Sequence, residues 1–374
     1  MRKLLPDICR IQYGYAFDSV KFSDSEGIPL IRIRDVVRGY SETYTTEECG
    51  EEYIVNDGDM LIGMDGEFNI AHWKGGKAYL NQRVCRLIPN GEVDALYLYY
   101  FMPKALKVIE DKTPFVTVKH LSAKELNKVV VPLPLMEEQR KIANSLKKVD
   151  ELIALRKEQL GKLDQLVKSR FIELFGSPIA NEYGWPIATL GELCLKITDG
   201  EHQNPQFVDN GIPMVMANNV QDKGVVFDGC RYISTENYEK FSRKCCPEFG
   251  DVLLVSRGAT IGRCCINSES IPFSLMGSVI LIKNNKERIS SAYLVNWLKN
   301  EEIKPMIYTT SSASAQQAIY MKDLVVRKVA VPPMELQEQY AAFVKQTDKS
   351  KLAIQQSLDK LELLKKSLMQ EYFG

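Results

Sequence analysis

Residues 131–176 read VPLPLMEEQRKIANSLKKVDELIALRKEQLGKLDQLVKSRFIELFG, and residues 331–374 repeat the same plan as VPPMELQEQYAAFVKQTDKSKLAIQQSLDKLELLKKSLMQEYFG. Both copies open with prolines, which fix φ and favour an extended chain before them, so we predict that a helix begins after each. Pro132 aligns with Pro332 and Gln139 with Gln339 at an offset of 200, whereas the closing Phe-Gly pairs align at an offset of 198. This alignment predicts that the second copy has lost two residues within its helix.

Apolar residues recur along both copies at alternating spacings of three and four, the heptad pattern of a helix that packs lengthwise on another helix. Roughly 38 helical residues span on the order of 55–60 Å, which is too long for an ordinary globular core. We therefore predict two long helices that act as struts outside the globular cores, each with an apolar seam that packs against another helix. The predicted seam residues are Ile142, Leu146, Val149, Ile153, Leu160, Leu163, Val167, Ile354, Leu358, Leu361 and Leu368.

The repeat extends beyond these helices into the rest of the chain. Short β-branched runs bounded by Gly, Asp and Asn predict strands, and amphipathic segments at 93–110 and 290–304 predict helices. The offsets between matched segments drift from 184 to 200, which is how loops diverge on a retained scaffold. The matched segments are LPDICRIQYGYAF with LGELCLKITDGEH, IPLIRIRDV with IPMVMANNV, and NDGDMLIGMDG with EFGDVLLVSRG.

We therefore predict an α+β fold: two globular domains, each a twisted mixed β-sheet with helices, in a pseudo-two-fold tandem repeat separated by the two long helices. The predicted domains are 1–134 and 177–333, and the predicted spacer helices are 135–176 and 334–374. If the helices pair antiparallel, Gly374 lies close to Met1, the protein is a near-closed ring, and it should tolerate circular permutation.

The composition bounds the function. The chain of 374 residues carries 48 basic and 48 acidic residues, so its formal net charge is zero. The overall charge therefore does not indicate a nucleic-acid partner. Nine cysteines, an odd number, favour a reducing compartment, and we expect a cytoplasmic protein without a disulfide framework. The chain has neither an apolar run near 18 residues nor a leader-like start, so we expect no membrane insertion and no secretion.

Sequence motifs that would indicate a catalytic site or a metal site are weak in this chain. Residues 204–207 read NPQF, close to the N-P-P-F/Y signature of amino-methyltransferases, but no glycine-rich turn in a βαβ context precedes them to hold an adenosyl cofactor. The chain has three histidines, and its vicinal cysteine pairs lack the C-x-x-C spacing of a zinc site, so we expect no metal. We predict a protein without catalytic residues of its own. An autonomous methyltransferase or nuclease, and a purely structural adaptor, are the alternatives.

Polar, basic and aromatic residues in predicted loops are the candidates for binding. Arg, Asn and Gln read base edges, while Lys and Arg anchor phosphates, although any one of these residues could simply belong to a solvated face. The candidates are Tyr15, Lys21, Arg32, Arg34, Lys74, Lys77, Arg83, Lys119, Lys196, His202, Gln206, Asn218, Asn219, Arg257, Arg263, Gln316 and Gln317.

The whole organisation resembles the specificity subunits of type I restriction-modification systems. The resemblance is carried by the doubled VPLPLMEEQRKI and VPPMELQEQ, each opening a long helix that ends in Phe-Gly, and by GDVLLVSRGATIG and ITDGEHQNPQF. It implies a non-catalytic subunit whose two target recognition domains each read one half of a bipartite double-stranded DNA site.

The same resemblance implies the partners. The two spacer helices would form an antiparallel coiled coil that sets the spacing of the half-sites and docks two modification (methyltransferase) subunits. Restriction (translocase/nuclease) subunits would join where they exist. S-adenosylmethionine and ATP are then expected on the partner subunits only, and the chain itself would bind no cofactor. Two readers on one spacer suit half-sites about one helical turn of DNA apart.

Overall fold

The computed structural model of the chain describes residues 1–113, 119–310 and 317–374. The chain divides into two units: unit 1 is Met1–Lys157 with Gln356–Gly374, and unit 2 is Glu158–Gln355. The divisions fall inside the two long helices, α5 (Met136–Phe175) and α11 (Met334–Phe373), so each unit contains one half of each helix.

Unit 1 contains three sheets, of two, four and five strands, besides its parts of α5 and α11. Its other helices are α1 (Leu5–Ile8), α2 (Ile33–Arg38), α3 (Ala95–Lys112) and α4 (Ala123–Leu126). Its strands are β1 (Arg2–Leu4), β2 (Cys9–Tyr13), β3 (Phe22–Ser23), β4 (Ile28–Ile31), β5 (Tyr44–Thr45), β6 (Ile54–Val55), β7 (Met60–Gly63), β8 (Asn69–His72), β9 (Ala78–Leu80), β10 (Val84–Pro89) and β11 (Val130–Pro132).

Unit 2 repeats that plan with more short strands. Its helices are α6 (Leu190–Leu193), α7 (Thr235–Ser242), α8 (Ser291–Lys299), α9 (Lys304–Ile307) and α10 (Met321–Val325). Its strands are β12 (Ile187–Thr189), β13 (Cys194–Asp199), β14 (Phe207–Val208), β15 (Ile212–Val215), β16 (Val220–Gln221), β17 (Gly224–Val225), β18 (Arg231–Ile233), β19 (Val252–Val255), β20 (Cys264–Ile266), β21 (Ser274–Leu275), β22 (Val279–Asn284), β23 (Thr309–Thr310), β24 (Gln317–Ala318) and β25 (Lys328–Ala330).

The sheets of the two units correspond. An antiparallel sheet of order β2-β10-β7-β8 in unit 1 matches β13-β22-β19-β20 in unit 2, and the pair β1-β11 matches β12-β25. A further sheet has the order β3-β5-β4-β9-β6 in unit 1 and β14-β18-β15-β21 in unit 2. It is mixed in both units, because β4 pairs parallel to β9 and β15 pairs parallel to β21. The two mixed helix-and-sheet copies confirm the predicted α+β fold class.

The central strands β7 and β19 are buried at every position because each lies between two layers. In β7, Met60 and Ile62 pack into the cluster formed with α3, while Leu61 points into a second cluster with Ile31 and Trp73. Alternate residues of a strand face opposite sides, so a continuous apolar run is what a doubly covered strand requires.

Within each unit the two long helices run antiparallel. In unit 1, Asp150 pairs with Lys365 at 2.6 Å and Lys157 with Glu362 at 3.1 Å, so higher numbers on one helix meet lower numbers on the other. In unit 2, Asp164 pairs with Lys351 at 2.6 Å. Coiled-coil packing along the seam stays a prediction. Of the predicted seam residues, Ile142, Leu146, Val149, Val167 and Leu358 are buried, and Ile153, Leu160, Leu163, Ile354, Leu361 and Leu368 are half-buried.

The start of each long helix corrects the sequence alignment. Gln139 is buried; its side chain accepts from Asp94 N at 2.9 Å and donates to Pro134 O at 3.0 Å. In unit 2 the residue with the same bonds is Gln337, which accepts from Ser290 N and donates to Pro332 O, both at 2.8 Å. The predicted match of Gln139 with Gln339 is therefore wrong. The helices correspond at an offset of 198 throughout, and neither has lost residues.

The Phe-Gly end of each helix closes a core. In unit 1 the ring of Phe373 packs 5.4 Å from that of Tyr97, whose hydroxyl donates to Pro132 O at 2.8 Å. Pro132 is the register partner of Arg2 in the β1-β11 pair, so both chain termini pack against neighbouring parts of unit 1. In unit 2, Phe175 packs 4.9 Å from Tyr293 in the same way.

Candidate nucleic-acid interface

Matched backbone hydrogen bonds bring loops together at one end of the antiparallel sheet in each unit, where the central strand β7 or β19 ends and its neighbour β10 or β22 begins. In unit 1, Met64 N donates to Arg83 O at 2.9 Å, which joins the segment after β7 to the turn before β10. In unit 2, Ser256 N donates to Ser278 O at 2.8 Å at the matched place. We call this end of each sheet, with the loops that follow β7 and precede β10 in unit 1 and follow β19 and precede β22 in unit 2, the loop edge. It is a retained backbone frame whose side chains differ between the units.

A glycine lies beneath each loop edge. Gly14 N donates to Val84 O at 3.0 Å, and a Cβ on Gly14 would overlap the carbonyl oxygen of Asn81. Gly200 occupies the matched position, and there a Cβ would overlap the carbonyl oxygen of Leu275. Both positions require glycine because backbone approaches backbone too closely for any side chain.

Three of the predicted arginines converge on one cavity of about 550 Å³ at the loop edge of unit 1. They converge because β4 pairs parallel to β9, with Ile31 opposite Leu80, so the chains leaving both strands emerge at the same edge. Arg32 follows β4, and Arg83 follows β9. The cavity is lined by Phe17, Ser19, Phe22, Arg32, Ile33, Arg34, Asp65, Asn81, Gln82 and Arg83.

Arg32 and Arg34 are held at the start of α2 by one buried carboxylate. Asp35 is fully buried and accepts from Arg32 N at 2.9 Å, which caps the helix. Arg34 Nε lies 3.6 Å from the other oxygen of Asp35, and Arg34 Nη2 donates to Thr43 Oγ1 at 3.3 Å. The guanidinium of Arg34 is still half exposed, so it is positioned without being sequestered.

Arg83 has an unusual backbone and a network of its own. Its φ of 72° lies in the left-handed region that favours glycine. Its Nη1 lies 3.0 Å from His120 Nε2, and its Nε lies 3.8 Å from Asp65 Oδ2. His120 Nδ1 is 2.5 Å from the other oxygen of Asp65 and 3.1 Å from Arg83 Nη1, so the imidazole contacts both members of the Arg83–Asp65 pair.

The other unit 1 candidates do not line this cavity. Tyr15 is exposed, and its ring packs edge-on to Phe17, with the centroids 4.9 Å apart. Lys21, at the end of a 3-10 helix, is exposed, and so are Lys74 and Lys77 between β8 and β9. The ammonium of Lys119 donates to Glu110 O at 2.9 Å and is half-buried, so it is engaged within unit 1.

Unit 2 carries different side chains on the matched frame. Met216 and Asn218 stand where unit 1 has Arg32 and Arg34, and Met216 N donates to Asn219 Oδ1 at 3.0 Å as Arg32 N does to Asp35. Asn218 is exposed. Asn219 is buried, and its amide also donates to Val226 O at 3.0 Å. Its side chain therefore stabilises this turn and offers no free group at the surface.

Asp199, His202 and Lys244 form a cluster next to Gly200 in unit 2. Asp199 Oδ2 lies 2.6 Å from His202 Nε2, and Asp199 Oδ1 lies 2.7 Å from Lys244 Nζ. Burial alone would raise the pKa of Asp199, but the hydrogen bonds from Lys244 and His202 outweigh it and lower the pKa below its usual value. Asp199 is therefore ionised at neutral pH, and its two oxygens hold the side chains of Lys244 and His202 at the surface.

The remaining unit 2 candidates are more scattered. Arg257 is exposed, and its guanidinium lies 6.0 Å from the ring centroid of Tyr320. Arg263 is half-buried and donates to Gln221 Oε1 at 3.1 Å. Lys196, Gln206 and Gln317 are exposed as well, whereas Gln316 lies outside the described residues.

The sequence prediction missed several polar residues of the two loop edges, among them Asp65, Gln82, His120 and Lys244. Asp65 belongs to an Asp-Gly-Glu segment that is typical of a hairpin turn, which hid it. The internal repeat could have identified Asp65 as a candidate, because it aligns Asp65 with the predicted site residue Arg257. Both residues follow a buried central strand at the same place.

The described residues hold no group of three or more His, Cys, Asp or Glu side chains that could bind a metal ion. Burial raises the pKa of the Cys264 and Cys265 thiols to about 12, so neither is a thiolate nucleophile at neutral pH. No helix in the described part of the chain is long and apolar enough to cross a membrane.

Comparison with known proteins identifies the family. Residues 2–165 and 182–364 both match the type I restriction modification DNA specificity domain. The chain belongs to this family. It is a type I specificity subunit that carries DNA sequence-recognition domains, and the family consists of non-catalytic subunits, which confirms the prediction that this chain is not itself an enzyme.

Relatives of this specificity subunit cover nearly its full length. It is 27% identical to the specificity subunit of the type I restriction enzyme EcoBI from Escherichia coli, over 100% of this chain and 85% of that protein. It is 22% identical to the MjaVIII specificity subunit from Methanocaldococcus jannaschii, over 91% and 87% of the two chains.

Solved structures share the fold. The type I restriction-modification S subunit from M. genitalium matches with a TM-score of 0.60 at 16% identity, over 100% of this chain and 96% of that one. A chain from a structure on complex assembly and conformational transition of the type I system matches with a TM-score of 0.60 at 19% identity, over 100% and 97%.

Proposed function

We propose that unit 1 and unit 2 each read one half of a bipartite double-stranded DNA target through their loop edges. The observation that carries this proposal is a retained backbone frame with exchanged side chains. Arg32 and Arg34 in unit 1 are replaced by Met216 and Asn218 in unit 2, while the capping hydrogen bond beneath them is kept. A scaffold that keeps its geometry and changes its polar surface suits two readers of different sequences.

The long helices α5 and α11 set the separation of the half-sites and dock two modification (methyltransferase) subunits. Forty residues in each helix, with antiparallel ion pairs in both units, support this role. The structural relative that concerns complex assembly of the type I system supports it as well. S-adenosylmethionine and ATP then belong to the partner subunits, and restriction subunits join where the host encodes them.

Balanced charge predicts that the chain alone holds DNA weakly. Each protein–phosphate contact releases counterions, and a chain with 48 basic and 48 acidic residues has no excess of positive charge for this purpose. Titration of a labelled target duplex should therefore give tight, specific binding only when the modification subunits are present. A tight sequence-specific complex formed by the chain alone would contradict this division of labour.

The test of the proposal is exchange of one reader. Residues 1–134 are replaced by the matching segment of a relative with a known, different target, and the chain is co-expressed with its modification subunits. Sequencing of methylated sites should show one half of the motif changed and the other half kept. A motif changed in both halves, or unchanged, contradicts the assignment of one half-site to each unit.

A further inference from the structure

Two opposite charges lie side by side in the wall of the unit 1 cavity. Arg83 Nε is 3.8 Å from Asp65 Oδ2, and the side chains are 50% and 24% exposed respectively. Both residues line the cavity. A guanidinium and a carboxylate that stay partly open to solvent, next to each other in a concave site, form a donor–acceptor pair ready to meet a ligand.

The pair is held in position from several sides. Met64 N donates to Arg83 O at 2.9 Å, and His120 contacts both side chains, at 3.0 Å from Arg83 Nη1 and 2.5 Å from Asp65 Oδ1. Arg83 and Asn181 are the residues other than glycine with positive φ in the described part of the chain. A side chain fixed in an unfavoured backbone conformation in a cleft indicates a functional site.

The chemistry of the pair matches one base pair. In the major groove guanine presents two acceptors, N7 and O6, and cytosine presents one donor, the N4 amino group. Arginine donates two hydrogen bonds to guanine, and a carboxylate accepts one from cytosine. An A·T pair instead offers the carboxylate the O4 acceptor of thymine, which repels it.

We propose that Arg83 and Asp65 together read one G·C base pair in the half-site that unit 1 recognises, with Arg83 on guanine and Asp65 on the cytosine amino group. This inference rests on the proposed function, because it names the bases read by a surface assigned there to DNA. It concerns unit 1 alone. Unit 2 has Arg257 in the place of Asp65 and Ser278 in the place of Arg83, so the matched position there does not carry this pair.

A contact to phosphate is the competing role for Arg83, and Asp65 argues against it. A carboxylate 3.8 Å from the guanidinium repels a phosphate but suits an amino group. The two roles also respond differently to lysine. A phosphate contact needs positive charge and tolerates lysine. Two hydrogen bonds to one guanine are fixed by the rigid planar fork of arginine, and the flexible ammonium of lysine reproduces them less well.

The experiment uses the full chain assembled with its modification subunits and a library of duplexes that carry each base pair at every position of the wild-type motif. Methylation rates are compared for the wild type, Arg83→Lys and Asp65→Ala. Arg38→Lys is the matched control, since Arg38 is exposed on α2 and does not line the cavity. Thermal unfolding of each assembled variant verifies that it is folded.

Arg83→Lys should lower the preference for the G·C pair at one position by roughly 5- to 150-fold, the range for loss of one bidentate base contact. Asp65→Ala should relax the same position, while the other half-site and Arg38→Lys keep the wild-type pattern. Unchanged preference, or an equal loss of methylation on all sequences, overturns the inference in favour of a phosphate or structural role. Because Arg83→Lys keeps the charge, it decides the question even if Asp65→Ala fails to fold.

The same data separate this inference from the proposed function. A wild-type complex that methylates no split motif overturns the proposed function itself. A wild-type complex with a split motif that contains no G·C pair in the half-site of unit 1, or whose motif both variants leave intact, overturns the reading by Arg83 and Asp65 alone.

Discussion

Gln337→Ala should strongly destabilise unit 2, because this buried side chain fastens the start of α11 to the loop before α8. Its oxygen accepts from Ser290 N at 2.8 Å, and its nitrogen donates to Pro332 O at 2.8 Å and to Arg288 O at 3.3 Å. The residue is fully buried. Alanine would leave these backbone groups without their partner inside the protein and would add a small cavity.

The expected loss follows from those contacts. A buried backbone group left without a partner costs about 1–3 kcal/mol, and we take roughly 3 kcal/mol in total because water entering the cavity satisfies some of the groups. For a unit of this size a change of 1 kcal/mol shifts the melting temperature by about 2–4 °C, so the shift should be about 6–12 °C. Gln337→Glu keeps the shape but turns the donor into an acceptor facing two carbonyl oxygens, and it should destabilise at least as much.

The matched control is Gln339→Ala. Gln339 is the residue that the sequence alignment pairs with Gln139, but it is exposed, and a substitution there should change stability by less than about 0.5 kcal/mol. Thermal and urea unfolding are followed by tryptophan fluorescence, since Trp297 is buried in the core of unit 2. Equal effects of the two alanine variants, or a larger effect of Gln339→Ala, would refute the assignment of Gln337 as the counterpart of Gln139.

Three further predictions test the frame. Gly14→Ala should destabilise unit 1 by about 3 kcal/mol, because its Cβ meets a backbone carbonyl that cannot move aside, whereas Gly91→Ala, which meets no atom within 4 Å, should be neutral or slightly stabilising in the same unfolding assay. Exchange of the charges of Lys157 and Glu362 should restore the loss of about 0.5–1 kcal/mol caused by Glu362→Lys alone; failure of the exchange in a double-mutant cycle would contradict the antiparallel register in unit 1. Joining the termini with a short glycine-serine linker and opening the chain between residues 182 and 183 should preserve the methylated motif, and loss of folding of this permuted chain would contradict the packing of both termini on unit 1.

Much of the fold could be predicted because it rests on strong local signals. Prolines followed by a heptad pattern indicate a long helix, and two such stretches indicate two. The central strands were also visible, since residues 60–62 and 252–255 are continuous apolar runs. The register of the repeat at the helix start was not, because Gln139 can be aligned with Gln337 or Gln339. Only the hydrogen bonds of the buried side chain distinguish the two alignments.

The candidate site was predictable residue by residue, but its assembly was not. Arginine in a loop is a reasonable candidate wherever it occurs, yet the meeting of Arg32 with Arg83 depends on the parallel pairing of β4 with β9, a tertiary contact that no local pattern encodes. Asn219 is a predicted candidate that the structure instead assigns to a structural role. A loop asparagine is equally suited to bind a base or to satisfy its own turn, and burial decides for the turn.

Recognition of a split DNA target by this chain is tested by single-molecule methylation sequencing of the host genome with this gene intact, deleted, and restored. One split motif with methylated adenine should disappear on deletion and return with the intact gene. A chain restored with a substituted unit 1 should bring back a motif in which only one half differs. Deletion without loss of any motif, together with failure of the chain to assemble with its modification subunit, would contradict its role as the DNA-reading subunit.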